Sequence, residues 1–328
     1  MTLILTASVL ESLADMQATI AAVERGFADI ACGTAQQPAP TSLHLPGSDA
    51  RYVMMSGLAE TQALAAVKLL SDLPANGTAG LPTQRSSIVL ADQHTGETLA
   101  FLDGRVPTRV RTAAASAVAS KHLARPASSV LGLVGAGALA VAHVEAMLEV
   151  LPIDTVVVWS RSSTTMETFR AATRHHAVQI VAASSIREVV EAADVLCTLT
   201  PAVEPLVRGE WFRPGLHVNA VGARPRPTHR EIDSAGMGRS KVFVDSLDTA
   251  VEKSGDLLMA VADGAMAIGD VRGELGAVIA KDLAGRNTDA DITLFNSVGI
   301  GVQDLVIGRL LFDAAVRHGL GTDINMAH

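Results

Sequence analysis

Apolar residues recur along the first third of the chain at two different periods. Leu10, Leu13, Met16, Ile20 and Val23 follow at helical spacing from a start at Thr6-Ala7-Ser8-Val9-Leu10-Glu11, predicting one helix that ends near Gly33. A Pro-rich, loop-like stretch runs on through Leu45-Pro46-Gly47. Short alternating or apolar runs then predict strands at Arg51–Met55, Ala65–Leu70, Ser87–Ala91 and Leu99–Asp103. Turn signals such as Pro74-Ala75-Asn76-Gly77 and His94-Thr95-Gly96 separate them, so a mainly antiparallel sheet behind a helix is expected. An alanine-rich helix follows from Thr108 to Leu123 and is closed by Pro126.

From Ser129 the pattern changes to alternating strand and helix. Strand-like runs stand at Val130–Val134, Thr155–Trp159, Val178–Ala182, Val195–Leu199, Leu216–Val221 and Lys241–Asp245. The segments between most of them are long enough for crossovers, which predicts a doubly wound parallel sheet. The last apolar stretch, Leu294 to His318, reads as one long helix that returns to the first domain. The expected fold is therefore α/β. A Rossmann domain over 126–293 accompanies a discontinuous α+β substrate-binding and dimerisation domain over 1–125 and 294–328.

Composition narrows the function classes. A net charge of −8 lacks the basic face that nucleic acid requires. The longest apolar run, Val130 to Ala142, spans about 13 residues, too short for a membrane span. The N-terminus has no basic region before its apolar start, so no signal peptide is read there. Cys32 and Cys197 lie far apart in unlike contexts, which suits a reducing cytoplasm. His175-His176 is read as an adjacent pair on a helix, with no metal-ligand spacing, and no metal is expected. Asp194 and Asp245 are read as turn and capping residues, and Cys197 as core.

The chemistry begins at Gly135-Ala136-Gly137-Ala138-Leu139-Ala140, a GxGxxA turn that closes a buried strand and opens a helix. In that context Gly135 permits the tight turn, Gly137 lets backbone approach a pyrophosphate, and Ala140 keeps helix and strand close. The anion would rest on free N–H groups at the positive helix end. The next strand ends Trp159-Ser160-Arg161-Ser162, without the acid that holds a ribose 2′-hydroxyl. Arg161, with Ser160 and Ser162, is suited instead to a 2′-phosphate, so NADP(H) is preferred and NAD(H) remains possible.

Arg51, Lys68 and Arg111 are cations in unexpected places. Lys68 lies among Ala65, Ala66, Val67, Leu69 and Leu70, where a lysine is costly unless paired or exposed. Arg111 opens an alanine-rich run, away from the C-terminal end where helices favour cations. Spacing alone leaves two readings: solvated surface cations, or a carboxylate clamp in which Arg111 forks both oxygens.

A resemblance joins these signals. Val67-Lys68, Gly80-Leu81-Pro82-Thr83, Thr95-Gly96-Glu97, Leu102-Asp103-Gly104, Arg111-Thr112-Ala113-Ala114-Ala115-Ser116-Ala117, the glycine turn, Val218–Gly222 and Thr293–Gly299 occur in order over nearly the whole chain. They resemble the ornithine cyclodeaminase/mu-crystallin family. The resemblance implies a homodimer pairing through the sheets of its first domains, with the active site between the domains. It implies that Arg51, Lys68 and Arg111 hold the substrate carboxylate and that Thr112 lies by the pyrophosphate. Further cofactor contacts are expected at Thr198, Val221, Gly222 and Ser297.

The family is chemically mixed. Its cyclodeaminases carry an acid shortly after the glycine that ends the fifth Rossmann strand, whereas this chain reads Val221-Gly222-Ala223-Arg224-Pro225. The next acid, Glu231, follows Thr228-His229-Arg230, in a segment that members of several activities share. Redox-neutral deamination is disfavoured, and imine reduction needs only hydride and an oriented carboxylate. Leu81–Ser87 and Asp103-Gly104-Arg105 resemble members that reduce Δ1-pyrroline-2-carboxylate and Δ1-piperideine-2-carboxylate. Lys68, Thr83 or water are the candidate proton donors to the nitrogen, and a preprotonated substrate would need none. The expectation is an NADPH-dependent cyclic imino-acid reductase. Its rivals are an ornithine cyclodeaminase, an alanine dehydrogenase-like enzyme, and a non-enzymatic mu-crystallin-like binder of NADP(H) and a small ligand.

Overall fold

The period-two runs of the first third pair as antiparallel strands in the computed structural model, which describes residues 1–326. The chain opens with β1 (Thr2–Leu5), α1 (Ala7–Leu13) and α2 (Met16–Ala31), then the short β2 (Ala35–Gln36) and β3 (Thr41–Leu43). Four longer strands follow: β4 (Arg51–Ala59), β5 (Leu64–Asp72), β6 (Gln84–Asp92) and β7 (Thr98–Asp103). Helix α3 (Arg105–Leu123) leads to β8 (Val130–Val134), α4 (Ala138–Leu148), β9 (Thr155–Trp159), α5 (Ser163–Thr173) and β10 (Gln179–Ala182). Next come α6 (Ile186–Ala192), β11 (Val195–Thr198), β12 (His217–Ala220), α7 (Ser234–Arg239), β13 (Lys241–Val244) and α8 (Leu247–Lys253). The chain continues through α9 (Gly255–Ala262), β14 (Gly273–Glu274), α10 (Leu275–Ile279) and β15 (Thr293–Asn296) to α11 (Gly301–His318) and β16 (Thr322–Ile324).

Two compact units result. The first comprises Met1–Arg111 and the chain from Gly299 onward; the second is Thr112–Val298. In the first unit the sheet runs β16-β1-β7-β6-β5-β4-β2, with β3 also paired to β4. All neighbours are antiparallel except β1 with β7. The inner face, with Val53, Met55, Ala66, Lys68, Ile88 and Leu90, is buried. On the outer face Tyr52, Leu58, Val67 and Leu69 remain 40 to 46% exposed. Helix α2 starts at Asp15, whose carboxylate accepts the Ala18 N–H at 2.7 Å, and buries Met16, Ile20, Val23 and Phe27 along one stripe.

The second unit is a parallel sheet in the order β10-β9-β8-β11-β12-β15-β13-β14. The strands wind outward from β8 in both directions, so the order reverses between β8 and β11, where such sheets bind ligands. Leu131, Leu133, Val156, Val158 and Cys197 pack on one face, and Val134, Val157, Leu196, Val218 and Val244 on the other. Strands buried on both faces read as continuous apolar runs, as expected of a parallel sheet.

The structure departs from the sequence reading in a few elements. The expected single N-terminal helix is two, because Ala14 and Asp15 take extended backbone between them. The apolar start, Thr2–Leu5, is a strand beside β7. Residues 294–296, expected within a long helix, belong to β15, which lies between β12 and β13, and the helix begins only at Gly301. His175-His176 lies in the turn after α5, not on a helix. Among the described residues no helix is long and apolar enough to cross a membrane, and no cluster of His, Cys, Asp or Glu is placed to hold a metal.

Candidate active site

In the first unit, register puts Lys68 on the inner face, opposite Met55 on β4 and Ile88 on β6. Both Lys68 and Arg111 are buried, at 1% and 5% exposure, so the snorkelling surface-cation reading does not describe them. Their shared partner is Asp304, in the first turn of α11. Lys68 Nζ lies 2.7 Å from Asp304 Oδ2, and Arg111 Nε donates to Asp304 Oδ1 at 3.1 Å. Arg111 Nη1 also donates to Gln303 Oε1 at 2.6 Å. Burial, with the Arg111 charge beside it, brings the Lys68 ammonium down to about 8, while Asp304 acts in the opposite direction.

Arg51 is not brought into this cluster. It opens β4 opposite Asp72, four residues from Met55, which places its backbone roughly 13 Å along the strand from the Lys68 row. Thr83 is half-buried just before β6, where its carbonyl accepts the Leu73 N–H at 2.7 Å. The approach of α11 to the sheet is set by glycine. A β-carbon at Gly57 would stand 3.0 Å from the Val302 nitrogen, and one at Gly301 would run into the Ser56 carbonyl.

In the second unit, β8 ends at Val134 and the glycine turn opens α4. Gly135 has φ +111°, a conformation other residues rarely adopt, and its missing side chain faces the Leu199 carbonyl. A β-carbon at Gly137 would meet nothing within 4 Å, so the exposed turn has open space in front of it. Ala136 is buried beneath, while Ala138 and Leu139 begin the helix with N–H groups that have no intrahelical acceptor. No side chain caps this end, and its first turn carries no acid. The cradle thus fits the pyrophosphate of a dinucleotide.

Beyond β9, the Ser160 hydroxyl accepts the Ser162 N–H at 3.2 Å, and the Ser162 hydroxyl caps α5 by accepting from Thr165. Arg161 is exposed and, among the described residues, makes no ion pair or side-chain hydrogen bond. Thr112, half-buried on α3, is the first residue of this unit. Val221 N and Gly222 N both donate to the Thr198 carbonyl, and Ser297 N donates to the Ala220 carbonyl, which ties the ends of β11, β12 and β15 together. The Thr198 hydroxyl is fully buried and donates to Glu231 at 2.8 Å. Ser297 Oγ donates to Asp245 Oδ2 at 3.3 Å. Asp194 does hold a turn, accepting from Ser129 N, Val130 N and Arg125. Burial pushes the Cys197 thiol up to about 12, which leaves it a neutral core residue.

Sequence reasoning missed Asp304, Gln303 and the structural position of Glu231. The signal for the first two was a polar pair inside the otherwise apolar run Gly301-Val302-Gln303-Asp304-Leu305-Val306-Ile307. Glu231 is buried beneath the ends of β11 and β12, and burial raises its carboxyl to about 7.

Comparison with known proteins agrees with this geometry. The ketimine reductase mu-crystallin of Mus musculus is 39% identical over 249 residues, 75% of each chain. The structure of Thermococcus litoralis Δ1-pyrroline-2-carboxylate reductase with NADH and L-proline superposes with a TM-score of 0.92 at 34% identity, covering 98% of this chain and 100% of that one. An archaeal alanine dehydrogenase dimer with bound NAD gives the same TM-score at 32% identity, covering 99% of each chain. The family model for ornithine cyclodeaminase/mu-crystallin matches residues 1–319. The chain belongs to the ornithine cyclodeaminase/mu-crystallin family.

Proposed function

We propose that this chain reduces a cyclic α-imino acid, Δ1-pyrroline-2-carboxylate or Δ1-piperideine-2-carboxylate, to L-proline or L-pipecolate, with NADPH preferred over NADH. The observation that carries the reading is the buried Lys68–Asp304–Arg111 cluster. Two cations share one carboxylate, so the cluster keeps one positive charge that a single substrate carboxylate neutralises. The cations belong to the first unit, and the Gly135 turn, Thr112 and the ends of β11, β12 and β15 belong to the second. When bound, the dinucleotide supplies the hydride. Lys68, with an ammonium brought down to about 8, is suited to share a proton with the imine nitrogen, and Thr83 stands as the alternative donor.

Arg161, exposed and without a partner among the described residues, supports the preference for a 2′-phosphate. The absence of an acid in Ala223-Arg224-Pro225 weighs against cyclodeamination. Alanine dehydrogenase is the second reading, because the dehydrogenase and the pyrroline-carboxylate reductase structures are equally similar in shape. The exposed apolar face formed by Tyr52, Leu58, Val67 and Leu69 supports a homodimer paired through the first unit's sheet. Its two free cysteines suit a reducing cytoplasm.

One experiment separates the readings. Purified protein is assayed with each reduced cofactor against pyrroline- and piperideine-2-carboxylate, pyruvate with ammonia or methylamine, and, in the reverse sense, ornithine. Cyclic imines should give the highest kcat/KM, with NADPH ahead of NADH. Faster turnover of pyruvate with ammonia would replace the proposal with the alanine reading.

A further inference from the structure

One buried group in the second unit is in contact with the loops after β11 and β12, yet the proposed reaction gives it no part. Glu231 Oε1 accepts from Thr200 N and Thr200 Oγ1, both at 2.6 Å. Its Oε2 accepts from Thr198 Oγ1 at 2.8 Å, Gly222 N at 2.7 Å and Ala223 N at 3.1 Å. All five donors belong to the ends of β11 and β12 or the loops that follow them. Glu231 is itself held from below, since Asp256 Oδ1 accepts the Glu231 and Ile232 N–H groups, each at 2.9 Å. Asn296, at the end of β15, in turn donates to Asp256 Oδ2 at 3.5 Å.

These loops are also the wall against which the glycine turn closes. Gly135 stacks on the Leu199 carbonyl and the Thr200 methyl, and Gly222 packs so closely on Leu199 and Thr200 that a β-carbon there would overlap their backbone. Contact therefore runs without a gap from the turn to Leu199 and Thr200, and from there to Gly222. A carboxylate that merely filled the core would take donors from its own neighbourhood. This one takes them from the two loops beside the crevice, through hydrogen bonds of the charge-assisted kind.

We infer that Glu231 is a positioning residue, whose carboxylate fastens the loops after β11 and β12 against the Gly135 turn and thereby sets the affinity for the dinucleotide. The inference rests on the reading of that turn as a dinucleotide site. Each carboxylate oxygen receives at least one N–H and one threonine hydroxyl, so a proton taken up there turns a hydroxyl from donor to acceptor and removes the charge that strengthens the N–H bonds to both loops. Burial brings that proton uptake to about pH 7, and the neighbouring Asp256 carboxyl on α9 acts in the same direction. The Thr198 and Thr200 donors oppose it, Cys197 on β11 feels the Glu231 charge as a neutral thiol, and Arg230 stands beside Asp256.

Direct titration by the fluorescence of bound NADH and NADPH, with thermal melting in parallel, tests the inference. Glu231→Gln presents an amide N–H to one of the two loops. The expected result is a Kd about tenfold higher or more for both cofactors, with kcat at saturating cofactor changed less. Thr200→Val removes one side-chain donor and leaves the backbone, so a smaller rise of about two- to fivefold is expected, and it decides the matter if Glu231→Gln does not fold. For the wild type, Kd for NADH should rise as pH falls below about 7, a dependence missing from Glu231→Gln; NADH lacks the phosphomonoester that titrates near pH 6. Folded variants that melt earlier but bind both cofactors as the wild type does would overturn the inference alone. Absence of binding by the wild type would overturn the dinucleotide reading and the inference with it.

Discussion

The two units handle buried charge in opposite ways. In the first, Lys68 and Arg111 neutralise Asp304 by direct ion pairing, and one positive charge is left over. In the second, Glu231 and Asp256 are equally buried but form no ion pair among the described residues, and backbone N–H and hydroxyl dipoles stabilise them. The ion-paired arrangement is interdependent, because removing one member leaves the others uncompensated in a medium that penalises bare charge. The dipolar arrangement is built largely from main chain, so substitution can crowd it or trim its hydroxyls but cannot delete its N–H donors. Under the proposed function an anionic substrate would complete the first arrangement, whereas the N–H groups of the glycine cradle in the second are in place beforehand.

The sharpest way to break this contrast is Asp304→Asn. It leaves two adjacent buried cations, and a loss of about 3–5 kcal/mol of stability is expected from denaturant unfolding. Lys68 also yields a pH prediction. Burial brings its pKa from the ordinary 10.5 down to about 8, so between those values the folded chain binds fewer protons than the unfolded one. Its contribution to stability therefore rises with pH through that window, and the cost of the buried charge is fully present below pH 8. If the ammonium serves the reaction, kcat/KM for the imine falls above about pH 8, and Asp304→Asn, which removes the influence that raises this pKa, moves that limb to lower pH. A limb that stays in place would remove Lys68 from the chemistry.

Glycine tests the dipolar side. Gly137 has an ordinary φ of −78° and open space before it, so Gly137→Ala should melt as the wild type does. Its methyl would occupy the room of the pyrophosphate and raise the cofactor Kd by about tenfold or more. Gly222→Ala should do the reverse first, lowering the melting temperature, because its β-carbon would overlap the Leu199 and Thr200 backbone. Equal melting of the two variants would contradict the packing described here. The smallest effect is expected at Arg161. Its replacement by Ala should raise KM for NADPH by about five- to tenfold and leave that for NADH within about twofold. Equal changes would end the preference for the 2′-phosphate.

The parts of this site that were legible in the sequence are those whose function is local. Six consecutive residues from Gly135 to Ala140 contain the turn, its strand and helix flanks are adjacent, and Ser160-Arg161-Ser162 lies one strand on. Lys68 and Arg111 stood out because their surroundings were apolar, but the reason they can be buried stands 193 residues after Arg111, at Asp304. No periodicity connects positions so far apart. Glu231 escaped for a related reason: its partners at Thr198, Thr200, Gly222 and Ala223 meet only when parallel strands align. Leu294-Phe295-Asn296 reads as the start of the following helix because this strand is buried on both faces, and such a short run carries no period of its own.

The glycine contact between α11 and β4 has a consequence for anyone who would retune substrate scope. Asp304 is seated on a helix whose distance from the sheet is fixed where Gly57 and Gly301 bring main chain against main chain. Nothing compressible lies in that contact, so it acts as a ruler for the ion pair. Libraries built to admit larger substrates should leave positions 57 and 301 untouched, because even an added methyl there would be read out at Lys68 and Arg111 as a misplaced charge.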